Sequence, residues 1–149
     1  MKIIAKKTLP NAILPTRATA GATGLDLYAA ESVTVKMTMT AVVDTGIQLD
    51  LSDTPVDLDV QVRPRSGLAA KYGITVLNSP GTIDRDYQGN IKVILVNHGE
   101  ADYTIKVGER IAQLVLGTVK STGEIEEAGE LTANVTARGE GGLGSTGTL

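Results

Sequence analysis

The chain has no cysteine, no phenylalanine and no tryptophan, and its 149 residues include one histidine and four tyrosines. Without cysteine there are no disulfides and no thiolate metal sites, and His98 has no second imidazole with which to assemble a zinc site. Any chemistry must run on carboxylates, hydroxyls, basic groups or a metal held by oxygens. No apolar run approaches the roughly 18 residues that would suggest a membrane span, and Met1 to Lys7 is charged without the apolar stretch of a signal peptide. These features predict a soluble, cytoplasmic protein with no membrane partner. A core without Phe or Trp must be packed by Val, Ile, Leu and Ala, which offer little area per residue, so association of several copies would help it.

The net charge of −3 argues against a general nucleic-acid binder, which usually carries a basic stripe. A small polyanion stays open, because a few converging arginines and a divalent cation suffice to hold one. Arg65, Arg110 and Arg138 are the arginines to follow.

The length suits one domain. Asp57-Leu-Asp-Val-Gln-Val-Arg63 alternates apolar and polar residues, and Ile91 to Asn97 is short and β-branched, both strand signals. Similar runs occur at Ile3 to Ala5, Leu25 to Tyr28, Val33 to Lys36, Val42 to Leu51, Tyr103 to Val107 and Arg110 to Val119. Turn formers separate them at Ser79-Pro80-Gly81, Gln88-Gly89-Asn90, His98-Gly99 and Val107-Gly108-Glu109. Only Ser66 to Tyr72 reads as a helix, with Ser66 as N-cap and Gly73 as its C-terminal stop. The expectation is an all-β chain, a many-stranded antiparallel barrel or jelly-roll sandwich with one short helix. Residues 1–134 would form the β-barrel and 135–149 a C-terminal arm of the same domain.

Five stretches carry more polar chemistry than a framework needs. In Ala20 to Ala30, Asp26 stands between two leucines, where alternation places its carboxylate on the face opposite theirs. It is either a strand-edge aspartate satisfied by turn amides or a functional carboxylate. Arg63-Pro-Arg-Ser-Gly-Leu-Ala69 leads from an extended X-Pro segment into a helix start, either an anion site or a capped helix beside a solvated arginine. In Asn78 to Gly89, Asp84 and Asp86 are two apart on an extended chain, either a charged surface hairpin or one that accepts a flat polar ligand and offers a carboxylate to a water. In Gly108 to Leu114, strict alternation sends Arg110 and Gln113 to opposite faces, so both serve one pocket only through a bend or a second subunit. The stretch Arg138-Gly-Glu-Gly-Gly-Leu-Gly-Ser-Thr-Gly-Thr-Leu149 combines a guanidinium, hydroxyls and glycines whose N–H groups can approach an anion closely. It reads as a flexible phosphate clamp or as a loose Gly/Ser tail.

In order and spacing these five stretches resemble the five motifs of the trimeric dUTPases, from about Ala20 to Gly147, and there is no Gly-Lys-Ser/Thr signature of a P-loop NTPase. The resemblance implies a jelly-roll-like barrel that forms a homotrimer with shared active sites, its C-terminal arm exchanged between subunits. It also implies Mg²⁺-assisted hydrolysis of dUTP to dUMP and pyrophosphate, a reaction that limits uracil in DNA and supplies dUMP for thymidylate. By the same correspondence Asp84 activates the attacking water. Asn78 and main-chain groups near Gly81, Thr82 and Ile83 read the uracil edge, and Tyr87 packs under the sugar, leaving no room for a 2′-hydroxyl. Arg65, Ser66, Gly67 and Gln113 contact phosphates, Lys92 is counted with the substrate contacts, and Asp26 supports the metal through water. Arg138, Gly142, Leu143, Gly144, Ser145 and Thr146 belong to the closing arm. The resemblance leaves Arg110 without a defined role.

Leu143 departs from the pattern, because the last motif usually carries an aromatic that stacks on uracil. Base–aromatic stacking is worth roughly 1–3 kcal/mol per base, so a leucine there predicts weaker closure and slower turnover than a phenylalanine would give. Two other readings share the architecture: a dCTP deaminase, for which Asn78 to Asn97 offers no glutamate beside the base, and a nucleotide-sensing regulator without turnover.

Overall fold

The computed structural model describes residues 3–120, 123 and 125–128. It is built of short antiparallel strands: β1 (Ile4–Lys7), β2 (Leu25–Tyr28), β3 (Val33–Val35), β4 (Thr40–Asp44), β5 (Ile47–Asp50), β6 (Leu58–Arg63), β7 (Ile74–Val76), β8 (Gly81–Ile83), β9 (Lys92–Asn97), β10 (Tyr103–Ile105) and β11 (Arg110–Thr118). One helix, α1 (Ser66–Tyr72), interrupts them between β6 and β7. The strands pair as a four-stranded sheet in the order β2-β11-β6-β8, a three-stranded sheet β4-β9-β7, and the two-stranded ladders β1-β5 and β3-β10.

The core is aliphatic, as the missing aromatics require. Leu27, Val35, Val43, Ile47, Ile74, Leu95, Ile105 and Ile111 are among the fully enclosed side chains. Alternation works where a strand has one wet face: in β6, Val60 and Val62 are buried while Asp59 and Gln61 are not. Asn97 and Thr45 are fully buried polar residues within this aliphatic core, and Asn97 shows how such a group is accommodated. Its Nδ2 donates to Val35 O (2.9 Å) and Ala101 O (2.8 Å), and its Oδ1 accepts from Gly99 N (2.8 Å), so the amide is satisfied where water is absent.

The structure revises the sequence reading at several points. Val42 to Leu51 is not one strand, because Thr45 and Gly46 turn the chain between β4 and β5, with Gly46 at φ 64°. β7 and β8 were not anticipated, each being three residues long and too short to show a period. Ser66 is not the N-cap. It is the first helical residue, Arg65 precedes it in extended conformation, and no side chain caps the helix. The C-terminal stop is as expected: Gly73 is left-handed (φ 68°) and its N–H returns to Ala69 O. Residues 135–149, the expected arm, lie outside the described residues.

Candidate functional site

The first group of candidate side chains forms where β2, β11 and the Arg63–Ser66 segment meet. Asp26 and Gln113 are register partners across β2 and β11, so their side chains share one face. Arg110 reaches that same face because the β2–β11 register slips between Arg110 and Ala112. Ile111 and Ala112 are both buried, two successive residues turned to the core, and the bulge restores Arg110 to the side of Gln113. Of the two routes that alternation leaves open, a bend or a second subunit, the bulge supplies the bend. The apolar Ile-Ala pair before Gln113 is the signal that marks the irregularity.

Asp26 is the hub. Its Oδ1 lies 3.3 Å from Arg65 Nε and its Oδ2 lies 3.3 Å from Arg110 Nη1. Guanidiniums, not turn amides, satisfy this carboxylate. Arg65 Nη1 also donates to Arg110 O at 2.9 Å, tying the approach to α1 onto the start of β11. Two cations share one anion, so the cluster keeps a net positive charge with Arg110 about half exposed at 49%. Asp26 itself is buried and Arg65 only partly exposed, and the consequence of the pairing is geometric: both guanidiniums are held in place before any ligand arrives. Gln113 Nε2 donates to Pro64 O (2.9 Å), and a Cβ on Gly24 would sit 2.2 Å from Gln113 Oε1, so any larger residue there would have to displace that amide.

A cavity of about 420 Å³ opens beside the cluster, lined among others by Arg65, Gly67, Lys71, Tyr103 and Arg110. Lys71 was not anticipated. It lies four residues after Gly67 on α1, hence on the same helix face, and that spacing is the signal that would have found it. The wall also carries Tyr103, whose phenol donates to the Glu109 carboxylate. Burial and that carboxylate push the Tyr103 phenol up from its ordinary value, keeping it a neutral donor.

The second group lies around β8. Thr82, Ile83, Asp84, Tyr87 and Lys92 line a cavity of about 250 Å³. Asp84 and Asp86 do not sit on extended chain as expected. Tyr87 N donates to Asp84 O (3.1 Å), closing a turn over Arg85 and Asp86. That turn brings the Tyr87 ring and Asp84 to one cavity. Asn78 lies against Gly81, whose missing Cβ would stand 3.1 Å from Asn78 Nδ2. Ser66 and Gly67 are exposed on the first turn of α1, with the first group.

The two groups are far apart on one chain. β2 and β8 are the opposite edges of the four-stranded sheet, about 14 Å across by three interstrand spacings. Along β6 the register runs from Arg63, beside Gln113, to Val60, beside Ile83, and Asp84 lies one step further, adding about 13 Å. Among the described residues no hydrogen bond or ion pair joins the groups. Arg138, Gly142, Leu143, Gly144, Ser145 and Thr146 lie outside the described residues. No group of three or more His, Asp or Glu that could hold a metal occurs among the described residues, and none of their helices is long and apolar enough to cross a membrane.

Fold and site define an antiparallel β protein with a preset guanidinium cluster on one edge of a sheet and a carboxylate-bearing pocket on the other. The profile of the dUTPase family matches residues 10–147. The chain is 51% identical over 148 residues to the deoxyuridine 5′-triphosphate nucleotidohydrolase of Hydrogenobaculum sp., covering 99% of both. It is 46% identical over 147 residues to that of Clostridium novyi, again covering 99% of both. Among solved structures, the Staphylococcus bacteriophage 80alpha dUTPase with dUPNHPP superposes with a TM-score of 0.83 at 26% identity, covering 98% of each chain. A dUTPase from phage phi11 of S. aureus, in which a structural Mg(II) ion is coordinated, superposes with a TM-score of 0.76 at 21% identity, covering 89% of this chain and 100% of that one. The chain belongs to the dUTPase family.

Proposed function

We propose that this chain hydrolyses dUTP to dUMP and pyrophosphate. The observation that carries the reading is the cavity in which Asp84 stands beside Tyr87 and Lys92, on a chain whose full-length relatives at about half identity are named deoxyuridine 5′-triphosphate nucleotidohydrolases.

In this reading the uracil edge meets Asn78 and the main chain of Gly81 to Ile83. Uracil is told from cytosine by complementary hydrogen bonds, since a buried mismatch costs roughly 1–3 kcal/mol for each group left unpaired. The Tyr87 ring packs under the sugar and excludes a 2′-hydroxyl. Asp84 takes a proton from a water aligned on the α-phosphorus. The new oxygen–phosphorus bond forms as the bond to the α,β-bridging oxygen breaks, and pyrophosphate carries away the electron pair. Arg65 and Arg110, held by Asp26, are cationic partners for phosphate oxygens, with Ser66, Gly67 and Gln113 beside them. Arg138, Ser145 and Thr146 would close over the terminal phosphates.

The residues fit Mg²⁺ in an indirect role. Each Asp26 oxygen faces one guanidinium, Oδ2 accepting from Arg110 Nη1 and Oδ1 paired with Arg65 Nε, which leaves each a lone pair for a metal-bound water, and Mg²⁺ is commonly held by substrate phosphates, waters and one or two carboxylates. When bound it would neutralise charge on the phosphates.

The separation of the two groups within one chain supports a site shared between copies, in a homotrimer of the kind the sequence motifs imply. A triphosphate whose base lies by Tyr87 would then meet the Asp26–Arg65–Arg110 cluster of a neighbour. Pyrophosphate release from dUTP tests the reading: the wild type should turn over, and Asp84→Asn should bind a non-hydrolysable analogue with turnover lowered at least about a hundredfold. Undiminished turnover in the variant would reject Asp84 as the base, and ammonia released from dCTP would point to a deaminase instead.

A further inference from the structure

A network outside both groups ends on Tyr87. Tyr87 Oη donates to the main-chain oxygen of Asn90 at 2.9 Å. The approach is so close that a Cβ on Gly89 would lie 2.4 Å from that hydroxyl. The Asn90 side chain is anchored at both ends. Its Nδ2 donates to the two Asp44 oxygens at 3.1 Å each, and its Oδ1 accepts from Thr8 Oγ1 at 2.8 Å. Both anchors are fixed in turn: Gly46 N donates to Asp44 Oδ1 at 2.6 Å, and Thr8 N donates to Gly46 O at 2.8 Å. Three segments distant in sequence, the end of β1, the β4–β5 turn and the chain after the Asp84–Tyr87 turn, therefore meet on one amide.

We infer that Asn90, clamped between Asp44 and Thr8, is a positioning residue that sets the seat of Tyr87 and thereby the preference for deoxyribose over ribose; this rests on the dUTP reading above. Asparagine suits the task because it both donates to a carboxylate and accepts from a hydroxyl, and no charged or apolar residue does both. The phenol hydroxyl is the only polar end of the Tyr87 ring. Fixing it to a main-chain oxygen that is itself pinned leaves the ring little freedom to retreat from a 2′-hydroxyl. Since Tyr87 N also donates to Asp84 O, the same clamp lies one turn away from the proposed base. Loosening it should therefore degrade discrimination before it abolishes hydrolysis.

The test is the ratio of kcat/KM for dUTP to that for UTP. Asn90→Asp sets a carboxylate against Asp44 and should lower the ratio about tenfold, small misplacements in such sites being costly. The reciprocal pair Asp44→Asn with Asn90→Asp restores a donor facing an acceptor and should bring the ratio back to within about threefold of wild type. An unchanged ratio in folded Asn90→Asp, or no recovery in a folded double variant, overturns the inference, because a merely structural role would not track donor and acceptor polarity. If circular dichroism shows that Asn90→Asp does not fold, Thr8→Val is read in its place: a lowered ratio supports the clamp and a wild-type ratio overturns it. A wild type that fails to hydrolyse dUTP overturns the functional reading and this inference together, whereas wild-type turnover with an unmoved ratio overturns the inference alone.

Discussion

Asp26 shows how a single side chain acquires its role from its neighbours. Read in sequence it is an aspartate between two leucines, and its face was legible there; its partners were not, because Arg65 and Arg110 lie tens of residues away and only the fold joins them. Arg110 is the residue the sequence leaves without a defined role, and its contact with Asp26 is the ground for the phosphate-binding role proposed for it. Replacing it with alanine removes a guanidinium from the cluster and leaves Asp26 with Arg65. The expected result is a rise of about tenfold in KM for dUTP with a smaller change in kcat, measured by steady-state kinetics, since charge-assisted contacts of this kind are worth roughly 1.5–3 kcal/mol when fully engaged. Lysine should rescue only part of the loss, because it lacks the fork that lets one group face both a carboxylate and a phosphate.

At the scale of elements, glycine punctuation decides whether α1 ends in the right place. Gly73 has φ 68°, and a Cβ there would meet Gly99 N at 2.4 Å, a backbone atom that cannot swing away. Gly73→Ala should destabilise the fold by about 2 kcal/mol or more, read as a lower urea midpoint with an unchanged slope. The helix was legible because Ser66 to Tyr72 is bounded by proline on one side and glycine on the other. β2, β6 and β9 were legible through alternation or β-branched runs. What escaped were features with no periodic signature: β7 and β8, supported mainly by pairing to β9 and β6, and the turn at Thr45–Gly46, hidden inside a long apolar-rich run. The Asp84–Tyr87 turn was misread as extended chain for a similar reason, since turn residues alone do not say where the strand before them stops.

For the whole molecule, the separation of the two groups makes a sharp demand. If a working site takes Asp84 from one copy and Arg65 from another, two inactive variants should repair each other. Asp84→Asn and Arg65→Ala, each silent alone, should regain activity when unfolded together and reassembled, with about one quarter of the sites intact at equal mixing. Sites contained within one chain would stay dead in the mixture, and an activity assay on the reassembled protein separates the two cases. The aliphatic core fits the same picture, since a domain packed without Phe or Trp gains from covering more of its surface.

The slip in β11 has a last consequence. Which side of the sheet Arg110 emerges on is a question of parity, odd or even, counted along the strand from Gln113. The segment holds one residue more than plain alternation allows, so straightening the strand with Ile111 in place would turn Arg110 inward, whereas deleting Ile111 would leave Arg110 on the face of Gln113 in an unbroken ladder. The cation beside Asp26 thus owes its place to a strand that absorbs one surplus residue rather than to the kind of residue absorbed.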